Sequence, residues 1–145
     1  MNQTRNTVEQ PNTFLESLRR ASHILESGLD DALDANGLSR AKLGVLMVLA
    51  GESDPLPLGQ LAERLTCVKS NITQLVDRLE ADGLVERLRD AGDRRSTRAA
   101  ITEEGRRRYA TGMEVKLALE QELLHRLSPD EQDMLGAALA KLSAD

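Results

Sequence analysis

Between Leu61 and Gly105 the hydrophobic period changes twice, and few folds can follow such a change. Leu58–Leu65 reads as a short helix. After a tight turn, Ile72, Leu75, Val76 and Leu79 recur at i, i+3, i+4 and i+7, the stripe of a helix with one buried face. Gly83 closes that helix. Two short β-runs follow, Leu84–Arg89 and Ser96–Ile101, joined by Asp90, Ala91, Gly92, Asp93 and Arg94, whose Gly and Asp residues suit a hairpin turn. Thr102 then caps a new helix with Glu103 and Glu104 in its first turn, where carboxylates meet the positive end of the helix dipole.

Helix, turn, helix, strand, charged turn, strand, helix is the order of a winged helix-turn-helix, so the expected class is mainly α with a small β component. The rest of the chain supports a single domain. Residues 1–11 read as a disordered arm ending at Pro11. Phe14, Leu15, Leu18, Leu25, Leu29 and Leu33 form a helical stripe stopped by Asn36-Gly37. Ser39 caps a second helix through Leu49, with Leu43, Leu46, Met47 and Ala50 expected to face inward. Ser53–Pro57 reads as an extended connector. The helix after Thr102 is expected to run to about Leu127. Ser128-Pro129-Asp130-Glu131 begins the last one as a capping box with Pro at its first position. The winged part thus covers about 39–101, and helices at about 12–36 and 102–143 flank it within a domain of 12–145.

The helix from Cys67 or Lys69 to Asp82 carries the chemistry. Its stripe faces inward, which leaves Lys69, Ser70, Asn71, Thr73, Gln74, Asp77 and Arg78 facing out. Hydroxyls, amides and cations near a helix N-terminus are what reading a DNA major groove requires: Asn and Gln pair with adenine edges, Lys with guanine or phosphate. On an isolated helix such residues would be an ordinary solvated face, but the preceding short helix and the following hairpin favour DNA contact. Arg94 and Arg95 sit at the hairpin tip, where a guanidinium can enter a narrow minor groove. Asp93 would repel phosphate, so a structural role holding the tip is assigned to it.

These residues bring the chain to a family. Leu61-Ala62, Leu65, Thr73, Leu75-Val76-Asp77-Arg78-Leu79-Glu80, Gly83-Leu84-Val85-Glu86-Arg87, Asp93-Arg94-Arg95 and Ile101-Thr102 through Gly105 resemble the core of the MarR family of bacterial transcription regulators. The flanking helices have that family's order, so the resemblance covers nearly the whole chain. It implies a homodimer built from the terminal helices, a palindromic operator, and release of DNA when a small molecule or an oxidant acts. It also implies that Arg95 is the minor-groove arginine and Asp93 its structural partner. Two positions depart from the pattern. Gln74 stands where many relatives carry Arg, so base preference should differ. Val68 stands where relatives often place a capping Ser; valine cannot accept that hydrogen bond, which shifts the expected cap to Thr66.

Composition agrees with this reading. The net charge of −5 is unevenly spread: residues 64–108 hold 11 Lys/Arg against 8 Asp/Glu, so the acidic surplus lies in the flanks. DNA affinity follows local phosphate contacts, not the total. Phe14 and Tyr109 are the only aromatic residues, which leaves no ring platform for single-stranded nucleic acid. No apolar run approaches a membrane span, so no membrane partner and a cytoplasmic location are expected. Phosphate loops, Ser/His/Asp groupings and paired carboxylates are missing, and an enzyme is not expected, nor a cofactor. His23 and His125 lie far apart without neighbouring Cys, a poor start for a metal site. Tyr109, Met113, Leu117, Leu124 and Leu127, with Met134, Leu135, Ala138, Leu139 and Leu142, offer more apolar surface than a small winged domain covers, and a second copy is the natural cover.

The leading expectation is a dimeric, sequence-specific repressor of transcription on double-stranded DNA. A winged helix that binds protein, or a metal-responsive regulator, is the alternative. Cys67 is a candidate redox sensor, since a helix N-terminus favours thiolate, although a free cysteine also packs as a small apolar residue. If it senses oxidants, peroxide should weaken DNA binding of the wild type and leave Cys67→Ser unaffected in a parallel titration; equal loss in both proteins excludes it.

Overall fold

The computed structural model describes residues 13–66, 69–89, 92 and 96–144. Helix α1 (Phe14–Asp34) starts at Thr13, whose hydroxyl accepts from the Glu16 amide while Glu16 reaches back to the Thr13 amide. Helix α2 (Arg40–Ala50) is capped by Ser39 as expected. Strand β1 (Leu56–Pro57) leads directly into α3 (Leu58–Arg64), and α4 (Lys69–Ala81) follows. Strands β2 (Val85–Arg89) and β3 (Thr97–Ile101) precede α5 (Glu103–Leu124) and α6 (Pro129–Ser143). Thr102 caps α5, and the Ser128–Glu131 capping box with Pro129 opens α6. The architecture is mainly helical with a small β wing, as the order of elements requires.

Three antiparallel strands make the sheet in the order β1-β3-β2. Val85 pairs with Ile101 and Arg87 with Ala99, so residues 85, 87 and 89 share one face. Part of the expected connector is therefore a strand: Leu56 pairs with Ala99 and Pro57 with Arg98. A proline is tolerated there because β1 lies at the sheet edge. Arg98 strengthens the junction by donating to the Pro55 carbonyl at 3.2 Å.

The core gathers Leu33, Leu38, Leu43, Val45, Leu46, Leu49, Leu61, Ile72, Val76, Leu79, Leu84, Val85 and Ala99. Two expectations for α2 fail. Met47 is 47% exposed and Ala50 only half-buried, while Val45 and Leu49 are buried in their stead. The helix is apolar nearly all round, so its own periodicity does not select a face; packing on α3, α4, α5 and β3 does. Helix α5 also ends at Leu124, three residues early, where the His125 amide bonds to the Gln121 carbonyl.

Helix α5 reaches the core through glycines. A Cβ on Gly105 would sit 2.0 Å from the Leu84 carbonyl oxygen, and one on Gly112 would sit 2.6 Å from Leu43 Cδ1. At both points the helix backbone comes closer than any side chain allows. Arg108 then donates to the Asn36 carbonyl at 2.6 Å, fixing α5 to the end of α1. On the other side of that end, Arg40 pairs with Asp30 at 2.6 Å, and the hydrogen bond raises the guanidinium pKa above its ordinary value.

Gly105→Ala should destabilise the protein by about 1–3 kcal/mol, the usual cost of forcing extra volume into a packed site. The shift of the urea midpoint measures this, with Gly136→Ala as the control, because a Cβ at Gly136 meets nothing within 4 Å.

Candidate nucleic-acid interface

Helix α3 ends in an abrupt reversal at Thr66. Thr66 takes a left-handed backbone with φ of 51°, and its amide bonds to the Glu63 carbonyl at 3.1 Å. Thr66 therefore terminates α3, where a positive φ reverses the chain, instead of capping α4 from the extended conformation that a capping residue needs. A β-branched residue in this region is strained by roughly 1–2 kcal/mol.

Ile72, Val76 and Leu79 are fully buried, as the stripe predicts, and Leu75 is half-buried. Ser70, Asn71, Thr73, Gln74, Asp77 and Arg78 are all exposed. Ser70, Asn71, Gln74 and Arg78 make no side-chain hydrogen bond or ion pair among the described residues, so their polar atoms face solvent uncommitted. Lys69 begins the helix. Its side chain lies outside the described residues, as do Cys67, Val68, Asp93, Arg94, Arg95 and the arm at 1–11.

Asp77 differs from its neighbours. Together with Glu80 it holds Arg87 from β2. The Arg87 Nη1 donates to Asp77 Oδ1 and lies 3.5 Å from Glu80 Oε2, while Nη2 donates to the Thr73 carbonyl at 3.1 Å. The Arg87 amide also donates to Glu80 Oε1 at 3.2 Å. The first strand of the wing is thus joined to the exposed helix by side-chain and main-chain bonds at once. The sequence reading missed this use of Arg87, although two carboxylates one turn apart and an arginine beyond the closing glycine were visible.

At the other end of α4, Lys42 pairs with Asp82 at 2.7 Å. Leu84 N–H bonds to the Leu79 carbonyl across Gly83, whose φ of 74° lets the chain double back. Thr102 donates to the Gly83 carbonyl at 2.7 Å, so the end of the helix and the start of α5 close on one glycine. The result is a helix whose Ser70, Asn71, Gln74 and Arg78 are exposed, with the strand β2 held along its flank.

The sequence profile of the MarR family matches residues 36–96, the winged part of the chain. The PecS HTH-type transcriptional regulator of Dickeya dadantii is 27% identical over 135 residues, covering 92% of this chain and 81% of PecS. A MarR-family transcriptional regulator from Rhodococcus superposes with a TM-score of 0.73 at 25% identity, covering 88% of this chain and 89% of that one. Over residues 36–96 the chain is similar to the MarR family. Staphylococcus aureus MepR, solved as a complex with DNA, is 25% identical with a TM-score of 0.74 and covers 90% of this chain and 96% of its own.

MarR-family proteins are DNA-binding regulators of transcription and not enzymes. In this chain, no group of three His, Cys, Asp or Glu could hold a metal ion among the described residues. His23 lies on α1 near Arg19 and Glu26, and His125 at the end of α5. No described helix is long and apolar enough to cross a membrane.

Because Gln74 is exposed and uncommitted, Gln74→Ala should relax preference at one base position while leaving the fold intact. Selection of bound oligonucleotides from a random pool measures this; uniform weakening across sequences would make Gln74 a backbone contact only.

Proposed function

We propose that the chain is a homodimeric repressor that reads a palindromic site in double-stranded DNA. Helix α4 enters the major groove through Lys69, Ser70, Asn71, Thr73, Gln74 and Arg78. Arg94 and Arg95 follow the minor groove from the wing tip, and Asp93 holds that tip. The observation that carries the reading is the exposure of Ser70, Asn71, Gln74 and Arg78 on α4, opposite the buried Ile72, Val76 and Leu79. A solvated helix face has no need of a strand clamped along its flank.

The dimer rests on a second observation. Helix α6 buries none of its residues, and Met134, Leu135, Leu139 and Leu142 are 41–65% exposed. On α1, Phe14 and Leu15 are each 72% exposed, and Leu117 on α5 is half exposed. One chain leaves these faces wet; a second copy would cover them. A small molecule or an oxidant then relieves repression by altering the spacing of the two heads.

Fragments of the source genome captured at low salt supply the operator, and sedimentation at micromolar concentration should show a dimer. Arg95→Ala should weaken operator binding by about 1–3 kcal/mol and lower the salt slope by roughly one where it touches phosphate. Failure to capture any fragment, or a monomer in sedimentation, would overturn the reading.

A further inference from the structure

Arg87 is an uneconomical way to hold a strand in place. The side chain is only 24% exposed, and its Nε is buried without a hydrogen-bond partner among the described residues. An arginine retained for stability alone would do no better than a well-packed apolar residue, because desolvating charge offsets most of its attraction. What an apolar residue cannot do is choose direction. The planar guanidinium takes Asp77 on one turn of α4, Glu80 on the next and the Thr73 carbonyl behind them, so three points fix β2 against the helix.

The placement of these points matters. Thr73 and Asp77 lie on the outward stretch of α4 between Asn71 and Arg78. Arg87 therefore grips the helix beside the residues assigned to the groove, and its own strand runs on through Arg89 towards the hairpin tip. A small rotation of β2 about this grip would be amplified along the hairpin.

We propose that Arg87 is a positioning residue for DNA binding: it sets the angle between the wing and α4, so that helix and wing tip engage one duplex together. This rests on the DNA-binding reading above. The carboxylates of Asp77 and Glu80 serve as the seat of the guanidinium, and Arg87 itself touches no DNA. Loss of Arg87 leaves α4 in place on its apolar stripe and lets the wing swing.

The test is a double-mutant cycle on the selected operator with wild type, Arg87→Gln, Arg95→Ala and the double variant. Arg87→Gln should cost about tenfold or more in affinity, the scale of a lost set of charged hydrogen bonds. Adding Arg95→Ala to it should cost less than about twofold further, since a misplaced tip has nothing left to lose. Arg87→Lys, which keeps the charge but lacks the fork, should behave like Arg87→Gln. Hydrogen exchange on the free protein should speed up at 85–89 and 97–101 in Arg87→Gln, with α2 and α4 unchanged.

Additive losses in the cycle, full function in Arg87→Lys, or unchanged exchange in the wing would each overturn the proposal. So would restoration of affinity in Arg87→Gln by Asp77→Asn with Glu80→Gln, because that would make Arg87 a mere neutraliser of carboxylates. These outcomes leave DNA binding by the wild type untouched. If the wild type selects no operator, the functional reading fails and this proposal with it.

Discussion

Burial of Ile72, Val76 and Leu79 is the constraint on which the proposed binding face depends. All three are 0% exposed and belong to the one core cluster of the described residues. Each such side chain is worth about 1.5–3 kcal/mol of transfer free energy when buried. Turning the helix by a third of a revolution would wet most of that surface. The outward direction of Ser70, Asn71, Gln74 and Arg78 is therefore set by what the opposite side hides. The proposed reading face is the one that contributes least to folding, which leaves its side chains free to be chosen for a partner.

Helix α5 links that reading head to the rest of the molecule. At Gly105 and Gly112 it lies against Leu84 and Leu43 with no room for a methyl group, and Thr102 ties its start to the end of α4. Beyond Gly112 the helix leaves the core, and Leu117 is half exposed. One rigid element thus passes from the wing to the uncovered faces of α1 and α6. The close contacts, with the Arg108 hydrogen bond to the Asn36 carbonyl, make the joint stiff, so the orientation of α1 is coupled to that of α4 through α5.

Much of this was legible in the residue order. The stripe of α4, the two β-runs, the caps at Ser39, Thr102 and Ser128, and the surplus apolar surface of the terminal helices follow from spacing and local chemistry, and the structure has them. The failures share one cause. In α2 the composition is apolar on every side, so Met47 and Val45 exchange places only when neighbouring elements choose the face. Leu56–Pro57 becomes a strand because β3 offers an edge at Arg98 and Ala99, much later in the chain. Thr66 ends α3 in a left-handed turn that no preference of threonine would suggest. The use of Arg87 stayed hidden because its partners lie across a chain reversal at Gly83.

Local sequence determined the identity and ends of most helices, the face that α4 hides, and the polar residues left on its other side. Those properties rest on spacing within a few turns and on caps a few residues away, interactions that the chain carries wherever it goes. Tertiary structure alone decided which side of α2 is buried, that β1 exists, and that Arg87 locks the wing to α4. Each of these needs groups brought together from distant parts of the chain, and their energies exist only once the core has closed.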